Sequence, residues 1–347
     1  MDARVTPISL QTCNPALSAD WDAYVRHHPD GTFFHLSGWQ RVMTEGLGHR
    51  SHFLCARRGE RIVGVYPLAE VRSLLFGHHL VALPFCVYGG ILSDDSEVQQ
   101  ALDREAQRLA QALNVDALEV RNRQPVHQDW PRKALHVTFR RALSGDPETD
   151  LNAIPRKQRA MIRKAISNGL DHSIDTELHD FLDCYDTSLR NLGTPVFPRR
   201  YFRALREVFG NDCEILTVRK NGAPVASVMS FYFRDEVLPY YGGGGQLARQ
   251  LAGNDLLYWA LMKHAGERGA RLFDFGRSKI DTGAYHFKKN WGFEPKPLAY
   301  EYFLVNANQM PDVNPLNPKY KLFIETWKRL PLPIARLIGP MLSRHLG

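Results

Sequence analysis

The segment from Phe273 to Pro295, FDFGRSKIDTGAYHFKKNWGFEP, constrains the fold of this chain more than any other stretch. Its apolar start predicts a buried strand that ends at Gly276, so that Arg277, Ser278 and Lys279 lie in an exit loop where they can face a ligand. A short helix is predicted over residues 283–290, because a glycine follows at position 292, where glycine commonly ends a helix. The segment therefore predicts one edge of a sheet with a ligand site beside it.

Length, apolar content and cysteine spacing limit the class of protein. A chain of 347 residues with 44% apolar residues can bury two sizeable cores, so we expect two domains. No apolar run approaches the roughly 18 residues of a membrane span, and the first twenty residues lack the features of a signal peptide. The five cysteines show neither disulfide nor zinc spacing. We expect a cytoplasmic protein without a metal centre or a tightly bound cofactor.

The same order of predicted elements occurs twice along the chain. In each half a strand hairpin precedes a third strand, a long helix and a further strand, and Asn221-Gly222 is a strong hairpin signal in the second half. This pattern predicts an α/β fold with mixed α+β sheets that arose by tandem duplication. The polar stretch Pro125–Asp150 marks the boundary region. We predict two domains and a basic amphipathic tail, over residues 1–145, 146–310 and 311–347.

A predicted helix after Pro155 carries a concentrated positive charge. Arg156, Arg159 and Arg163 share one face of it, since helix neighbours lie three or four residues apart. Such a face can hold the phosphates of a lipid- or nucleotide-linked sugar, or of tRNA. A solvated surface helix is the alternative.

A glycine-rich strand end is a second candidate for substrate binding. Tyr240 and Tyr241 precede four glycines that start at Gly242, and glycine permits close approach of a ligand to the backbone. A β-bulge is the alternative, and the two interpretations are compatible.

Asp274, Asp281 and His286 are candidates for the general base that accepts a proton from an attacking amine. Asp274 alternates with two phenylalanines that face the core, so its carboxylate is directed to the other side of the strand. It then either faces a cleft or pairs with Arg277.

The segment that begins at Phe273 resembles the end of a GNAT-type acyltransferase domain, in which an aromatic residue, a short helix and a Gly-Phe pair close the fold; here these are Tyr285, Phe287, Gly292 and Phe293. The preceding FDFGRS and the Phe-Lys-Lys in the helix resemble FemAB-like transferases, and among them the proteins associated with PEP-CTERM, exosortase and exopolysaccharide gene clusters. The resemblance is good from about Leu151 to Val305 and weaker from Trp21 to Arg121.

This resemblance implies tandem GNAT-like domains that join an acyl or aminoacyl group to an amine on a cell-envelope or exopolysaccharide precursor. It implies that Lys288 stabilises negative charge on the tetrahedral intermediate, contributing to catalysis more than to folding. Phe287 and Lys289 lie beside it, and Arg277 and Ser278 face the substrate. In the first half, the run FFHLSGWQ resembles the family's entry motif and makes Trp39 a substrate contact.

The donor implied by the resemblance is aminoacyl-tRNA. The stretch Gln250–Asp255 resembles the phosphate-binding loop of coenzyme A-dependent members until its last position, where Asp255 replaces a small residue. We expect its carboxylate to repel a diphosphate. Two alternatives stay open: an N-acyltransferase that uses acyl-CoA or acyl-carrier protein, and a non-catalytic GNAT-like binding protein of the polysaccharide machinery.

The C-terminal segment has its own charge and pattern. From Pro315 to Gly347 there are six Lys or Arg residues and one acidic residue. Apolar side chains share one helical face there, and they are Leu337, Ile338, Met341 and Leu342. This pattern predicts either peripheral attachment to an anionic membrane or packing on the second domain.

Overall fold

We describe the protein from a computed structural model over residues 6–73, 77–311 and 321–345. The start of the predicted tail, residues 312–320, lies outside this description. The first part of the chain forms, in order, β1 (Ile8–Thr12), α1 (Ser18–His27), α2 (Gly38–Arg41) with a π-helical continuation Val42–Leu47, β2 (Arg50–Ser51), β3 (Leu54–Arg58), β4 (Arg61–Tyr66), β5 (Ala69–Ser73), β6 (Gly77–Val81), β7 (Leu92–Ser93), α3 (Ser96–Ala112), β8 (Ala117–Asn122) and β9 (Arg132–Lys133).

The second part of the chain is richer in helices. It forms, in order, β10 (His136–Ala142), α4 (Pro147–Asn152), α5 (Arg156–Ser167), β11 (Leu170–Asp175), α6 (His179–Leu192), α7 (Arg199–Phe209), β12 (Cys213–Lys220), β13 (Ala223–Phe233), β14 (Glu236–Gly244), α8 (Gln246–Gln250), α9 (Gly253–Glu267), β15 (Leu272–Lys279), α10 (Gly283–Asn290), β16 (Pro295–Pro297), β17 (Ala299–Leu304), α11 (Lys321–Arg329) and α12 (Leu332–Ser343).

Local signals placed several of these elements correctly. Pro155 separates α4 from α5, as predicted, because the nitrogen of proline has no N–H to donate to the preceding helical turn. Asn221 and Gly222 have φ angles of 52° and 81° and join β12 to β13 in a two-residue hairpin. Helix α10 has the predicted bounds, and Gly292 follows it with a φ of 77°.

The end of strand β15 differs from the prediction. Gly276 does not end the strand but has a φ of 66° at a bulge opposite Phe139, and pairing with β10 resumes at Arg277. Arg277 and Ser278 therefore lie in the strand and not in an exit loop. A glycine in a strand pattern marks a bulge as readily as an end.

The described residues form two compact units, which we treat separately. Among the described residues, the first unit draws on 6–73, 77–134, 298–311 and 345, and the second on 135–297 and 321–344. These divisions differ from the predicted ranges, because β10 adds to the sheet of the second unit while β17 adds to a sheet of the first. The tail helices α11 and α12 count with the second unit rather than as a separate region.

The sheets of the two units share an arrangement. The first unit has a sheet of order β1-β3-β4-β7 and another of order β2-β5-β6-β8-β17-β9; the sheet of the second unit has the order β11-β12-β13-β14-β15-β10-β16. In the first unit the parallel pair β6–β8 is followed by the antiparallel strand β17 and then by the short strand β9. In the second unit the parallel pair β14–β15 is followed by the antiparallel strand β10 and then by the short strand β16. The mixed α/β class predicted from the pattern is confirmed.

A buried ionic cluster holds the loop after β8 in the first unit. The carboxylate of Glu301, which is fully buried, accepts the backbone N–H groups of Val126 and His127 at 3.0 Å each. The His127 ring stacks on Trp130 at 3.6 Å, and its Nε2 lies 3.1 Å from Asp103. Burial alone would lower the pKa of His127, but hydrogen bonds to Asp103 and Glu301 outweigh it and raise the pKa to about 9.

We expect this cluster to make stability depend on pH. Because the folded pKa is raised, the contribution of His127 is fully present below about pH 6.5 and is lost as the pH rises through about 9. The free energy of unfolding should fall by up to about 3 kcal/mol across that window. Urea denaturation of the wild type, of His127→Phe and of the exposed-site control His27→Phe tests this. A His127→Phe protein with the full wild-type pH dependence would contradict it.

Candidate functional site

Two neighbouring strands of the second unit separate and open a gap in the sheet. Strands β14 and β15 run parallel and pair only at Glu236–Leu272 and Val237–Phe273. Beyond this point the C-terminal half of β14 diverges from β15. Ligands of α/β sheets commonly bind at the carboxyl ends of strands, where neighbouring strands part. The gap is therefore the starting point for a site.

Aromatic side chains from two helices close one side of this gap. The ring of Tyr258, on α9, lies 4.7 Å from the ring of Phe275 on β15 and 5.6 Å from Phe287 on α10. Its hydroxyl lies 2.8 Å from the position that a Cβ would take at Gly242 on β14. A side chain at Gly242 would displace Tyr258, so this glycine is needed for the packing beneath the gap.

Lys288 reaches from α10 to the bulge in β15. Its Nζ donates to the carbonyl oxygens of Phe275 at 2.6 Å, Gly276 at 3.1 Å and Arg277 at 3.1 Å. The left-handed conformation of Gly276 allows successive carbonyl groups to converge on one ammonium group. Burial lowers the pKa of Lys288 to about 7, and the charge of Asp274 partly opposes this shift.

These contacts change the expectation for Lys288. All three of its N–H donors are engaged, so in this conformation none is directed at a developing oxyanion. The side chain is buried and ties α10 to β15, which gives it a role in folding that the sequence did not indicate. Its catalytic role stays a prediction, and it depends on the exchange of one carbonyl partner for the reacting oxygen.

Asp274 is a structural carboxylate rather than an accessible base. It is 1% exposed, accepts the backbone N–H of Gly276 at 2.8 Å, and lies 3.2 Å from Arg140 and 3.4 Å from Thr138. Arg140, which the sequence did not indicate, is thus an ion-pair partner of this carboxylate. The carboxylate stabilises the bulge, since it bridges the glycine to the neighbouring strand.

The remaining acid–base candidates lie at the surface. His286 is exposed on α10, with its ring 5.3 Å from Tyr285, and Asp281 is exposed in the turn before that helix. Lys289 is also exposed and lies over the Tyr285 ring at 5.5 Å. Of the predicted acid–base candidates, His286 and Asp281 are accessible to a substrate, whereas Asp274 is not.

The expectation for Asp255 is wrong in its geometry. Helix α9 begins at Gly253 after Ala252, whose φ is 60°. The carboxylate of Asp255 consequently faces the core and accepts the indole N–H of Trp291 at 3.2 Å. Burial raises its pKa to about 6. The side chain does not face the space at the N-terminus of α9, so it is not placed to repel a diphosphate there.

The glycine-rich end of β14 contains a β-bulge, which the sequence had indicated as an alternative to a ligand site. Met229 pairs with Tyr241 and Ser230 with Pro239, so Tyr240 is the extra residue. The Tyr241 hydroxyl is buried 2.6 Å from that of Tyr201 and faces away from solvent, whereas Tyr240 is half-buried.

A second glycine in this strand serves packing rather than ligand approach. A Cβ at Gly243 would lie 2.7 Å from Ser188 Cβ and 3.0 Å from Tyr185 Cα, both on α6. Helix α6, rather than a ligand, therefore packs closely against the backbone of β14 at this position.

Helix α5 places its cations beside the candidate site. A Cβ at Gly292, after α10, would lie 3.2 Å from Pro155 at the start of α5, and Asn168 at its end donates to the carbonyl of Leu251, just before α9. The helix thus extends between two segments that flank the gap. Arg156 and Arg163 are exposed along it; Arg159 is half-buried and donates to Asn152 at 2.8 Å.

Two other predicted contacts have different surroundings. Trp39 is fully buried in the first unit, and its indole N–H donates to the carbonyl of Phe33 at 3.0 Å, so it has no surface for a substrate. Ser278 is 5% exposed and paired opposite Val137 in the sheet, and its hydroxyl has no hydrogen-bond partner within the described ranges. Arg277 is half-buried opposite Thr138.

Three residues that shape this site were not predicted: Arg140, Tyr258 and Trp291. Arg140 lies 134 positions before its partner Asp274, in the stretch that the sequence marked as a boundary. Tyr258 and Trp291 follow helical patterns that equally fit core positions. Only Asp255, an acidic residue where the related loops have a small one, indicated that a hydrogen-bond donor had to lie nearby in the core.

Searches for a metal site and for a membrane span gave negative results over the part of the chain that the structure describes. No group of three or more His, Cys, Asp or Glu side chains is placed to hold a metal ion. No helix within these ranges is long and apolar enough to cross a membrane.

Part of the chain matches a known domain family, and the whole fold has relatives among solved structures. Residues 156–289 match the family described as an acetyltransferase (GNAT) domain. The crystal structure of FemX superposes with a TM-score of 0.66 at 15% sequence identity, over 91% of this chain and 100% of the FemX chain. Residues 156–289 therefore form a GNAT-type domain, and the chain shares the fold of FemX. None of the curated protein sequences compared with it matches.

Two further structures share this fold. A tandem GNAT protein from the clavulanic acid biosynthesis pathway has a TM-score of 0.54 at 14% identity, over 87% of this chain and 100% of its own. The C-terminal domain of a protein from Agrobacterium fabrum, assigned as a lysylphosphatidylglycerol synthetase, has a TM-score of 0.58 at 13% identity, over 85% and 93%. The prediction of two GNAT-like domains is confirmed.

Proposed function

We propose that this transferase joins an aminoacyl group, delivered by charged tRNA, to an amine on a cell-envelope or exopolysaccharide precursor. One observation carries the proposal: the fold it shares with FemX extends over the whole FemX chain. The likeness to a domain assigned to lysylphosphatidylglycerol synthesis, which is named for an aminoacylated lipid, supports an aminoacyl group. Charged tRNA is a cytoplasmic donor, and we place the reaction in that compartment.

The proposed reaction is an attack of the acceptor amine on the carbonyl carbon of the aminoacyl ester. A C–N bond forms, the tetrahedral intermediate collapses, and the C–O bond to the tRNA ribose breaks. The amine loses a proton and the departing ribose oxygen gains one. His286 is an accessible group that can relay this proton. The protein otherwise contributes positioning and electrostatic stabilisation.

We assign phosphate binding in this reaction to the exposed cations of α5. Because the helix extends between the segment after α10 and the turn before α9, its side chains can contact a phosphate-bearing donor or acceptor as it enters the gap. Screening by salt weakens such contacts.

Replacing Arg156, Arg159 and Arg163 together with alanine should raise KM about tenfold or more and flatten its dependence on salt, with little change in kcat. The matched control replaces three exposed arginines of α7 in the same unit, Arg199, Arg200 and Arg203. Steady-state kinetics over a range of salt concentrations checks the prediction. Equal salt slopes in the two triple variants would show that α5 is only a solvated surface.

A donor screen tests the proposed function directly. The wild-type protein is incubated with a labelled amine-bearing sugar or peptide precursor and with charged tRNA, acyl-CoA or acyl-carrier protein in separate reactions. We expect transfer from charged tRNA. Transfer from another donor would replace the proposed one, and binding of the precursor without transfer from any donor would indicate a non-catalytic binding protein.

An acyl-CoA donor is the second candidate, and the position of Asp255 favours it. Since that carboxylate is bonded to Trp291 inside the core, it does not place a negative charge at the start of α9, where a diphosphate would bind. Calorimetry with coenzyme A distinguishes the two donors. Micromolar binding by the wild type would favour acyl-CoA over charged tRNA.

A further inference from the structure

Helices α11 and α12 pack on α6 through one face each. On α12 this face consists of Ala335, Gly339 and Ser343, all buried; a Cβ at Gly339 would lie 2.7 Å from Val196 Cγ2 and 2.8 Å from its backbone nitrogen. On α11 the buried residue is Trp327. Close packing of this kind shows that the tail helices belong to the second unit.

An ion pair fixes α12 in this position. Arg336 donates to Asp186 at 2.8 Å and to Asp183 at 2.6 Å, both on α6. Asp186 is only 3% exposed on its side chain, so Arg336 neutralises a buried charge. A truncation that removes α12 would leave that carboxylate without its arginine partner, so only substitutions on the outer face can test what that face does.

The opposite face of α12 is apolar and exposed, and α11 also exposes apolar side chains, although Phe323 stacks on its buried Trp327. Of the eleven large apolar side chains that are exposed in the described residues, five lie in this short segment: Leu322 at 80%, Leu337 at 76%, Met341 at 67%, Ile334 at 45% and Phe323 at 42%. The three on α12 occur at spacings of three and four residues and so share one side of the helix. Such a concentration marks an interaction surface.

The charge around this surface has one sign. Lys321, Arg329 and Arg344 are exposed on the two helices. Glu325 is the only acidic residue in the sequence between Lys321 and His345, and it pairs with Lys328 at 2.8 Å. Exposed apolar side chains flanked by cations complement the anionic headgroups and acyl chains of a lipid surface.

We propose that the outer face of α11 and α12 docks the protein on an anionic membrane surface. The apolar side chains enter the interface while the cations meet lipid phosphates. Neither helix needs to leave the fold, because the face of α12 that binds α6 is opposite to its exposed apolar face, and the apolar side chains of α11 are already exposed. The proposal goes beyond the transfer reaction and does not depend on the donor.

Vesicle co-sedimentation tests the proposal with the full-length chain. The wild type should pellet with vesicles of phosphatidylcholine and phosphatidylglycerol at low salt, and not with phosphatidylcholine alone. Leu337→Ser with Met341→Ser should abolish binding while the thermal unfolding midpoint stays unchanged. Val126→Ser with Leu10→Ser, two exposed apolar residues of the first unit, is the matched control and should bind normally.

The cations are tested separately. Replacing Lys321, Arg329 and Arg344 with glutamine should weaken vesicle binding about 100-fold, the scale expected for three cations near an anionic leaflet. A wild type that ignores anionic vesicles, or a double serine variant that binds them normally, would overturn the proposal. So would ultracentrifugation that shows a dimer lost in the double serine variant without any vesicle binding, because the surface would then bind a second copy.

Discussion

Replacing Lys288 with methionine is expected to lower turnover by about 100-fold or more and to destabilise the fold. The ammonium group donates to three carbonyl groups at the bulge of β15, and methionine leaves these acceptors without a donor in a buried setting. An unsatisfied buried polar group costs about 1–3 kcal/mol. Removal of a buried charge offsets part of this, so we expect a net loss of about 2 kcal/mol. Loss of these contacts should also displace α10, the helix that carries Lys288 beside the gap.

The pH dependence of this effect has a definite sign. The folded pKa of Lys288 is lowered to about 7 from 10.5, so between these values the unfolded chain holds a proton that the folded state has released. The stability of the wild type relative to Lys288→Met should therefore rise as the pH increases from about 7 to about 10.

Urea denaturation and steady-state kinetics on the same preparations measure both effects. Lys263→Met, at an exposed lysine of the same unit, is the control and should change neither quantity appreciably. A Lys288→Met protein with wild-type turnover would remove this residue from the mechanism, and one with wild-type stability would show that the three carbonyl contacts contribute little.

Replacing Arg336 with leucine should lower the free energy of unfolding by about 2–4 kcal/mol, the scale for a buried carboxylate that loses its partner. Asp186 is almost completely buried, and burial already raises its pKa although Arg336 opposes the shift. Without the arginine the carboxylate must either stay charged and unpaired or take up a proton.

A double variant separates this effect from a loss of packing. Arg336→Leu combined with Asp186→Leu removes both charges and should recover most of the lost stability, as measured by urea denaturation. If the double variant is as unstable as Arg336→Leu alone, the loss arises from packing of α12 rather than from the stranded charge. Asp183→Asn should have a smaller effect, because Asp183 is 38% exposed.

Elements that depend on neighbouring residues were predictable from the sequence. The hairpin at Asn221-Gly222, the helix break at Pro155 and the bounds of α10 follow from local backbone preferences. The mixed α/β class follows from the order of such elements along the chain, and the GNAT-type domain from the residues near the end of the second unit. These features need only short-range physical chemistry.

Pairings between distant residues were not predictable, and they decide the site. Asp274 binds Arg140, Asp255 binds Trp291 instead of facing a ligand, and Lys288 binds backbone carbonyls instead of the open gap. In each case a buried polar group takes whichever partner the fold brings within hydrogen-bond reach.

The sequence by itself determined the helices, the turns, the fold class and the basic character of α5 and the tail, because backbone preference and charge are local properties. Only the tertiary structure decided that β17 joins the first unit, that Gly276 forms a bulge rather than a strand end, and that the tail packs on α6 with its apolar side outward. The placement of β17 and the docking of the tail helices depend on which surfaces meet when the chain folds. A helix with apolar residues on two sides does not show from its sequence which side is buried.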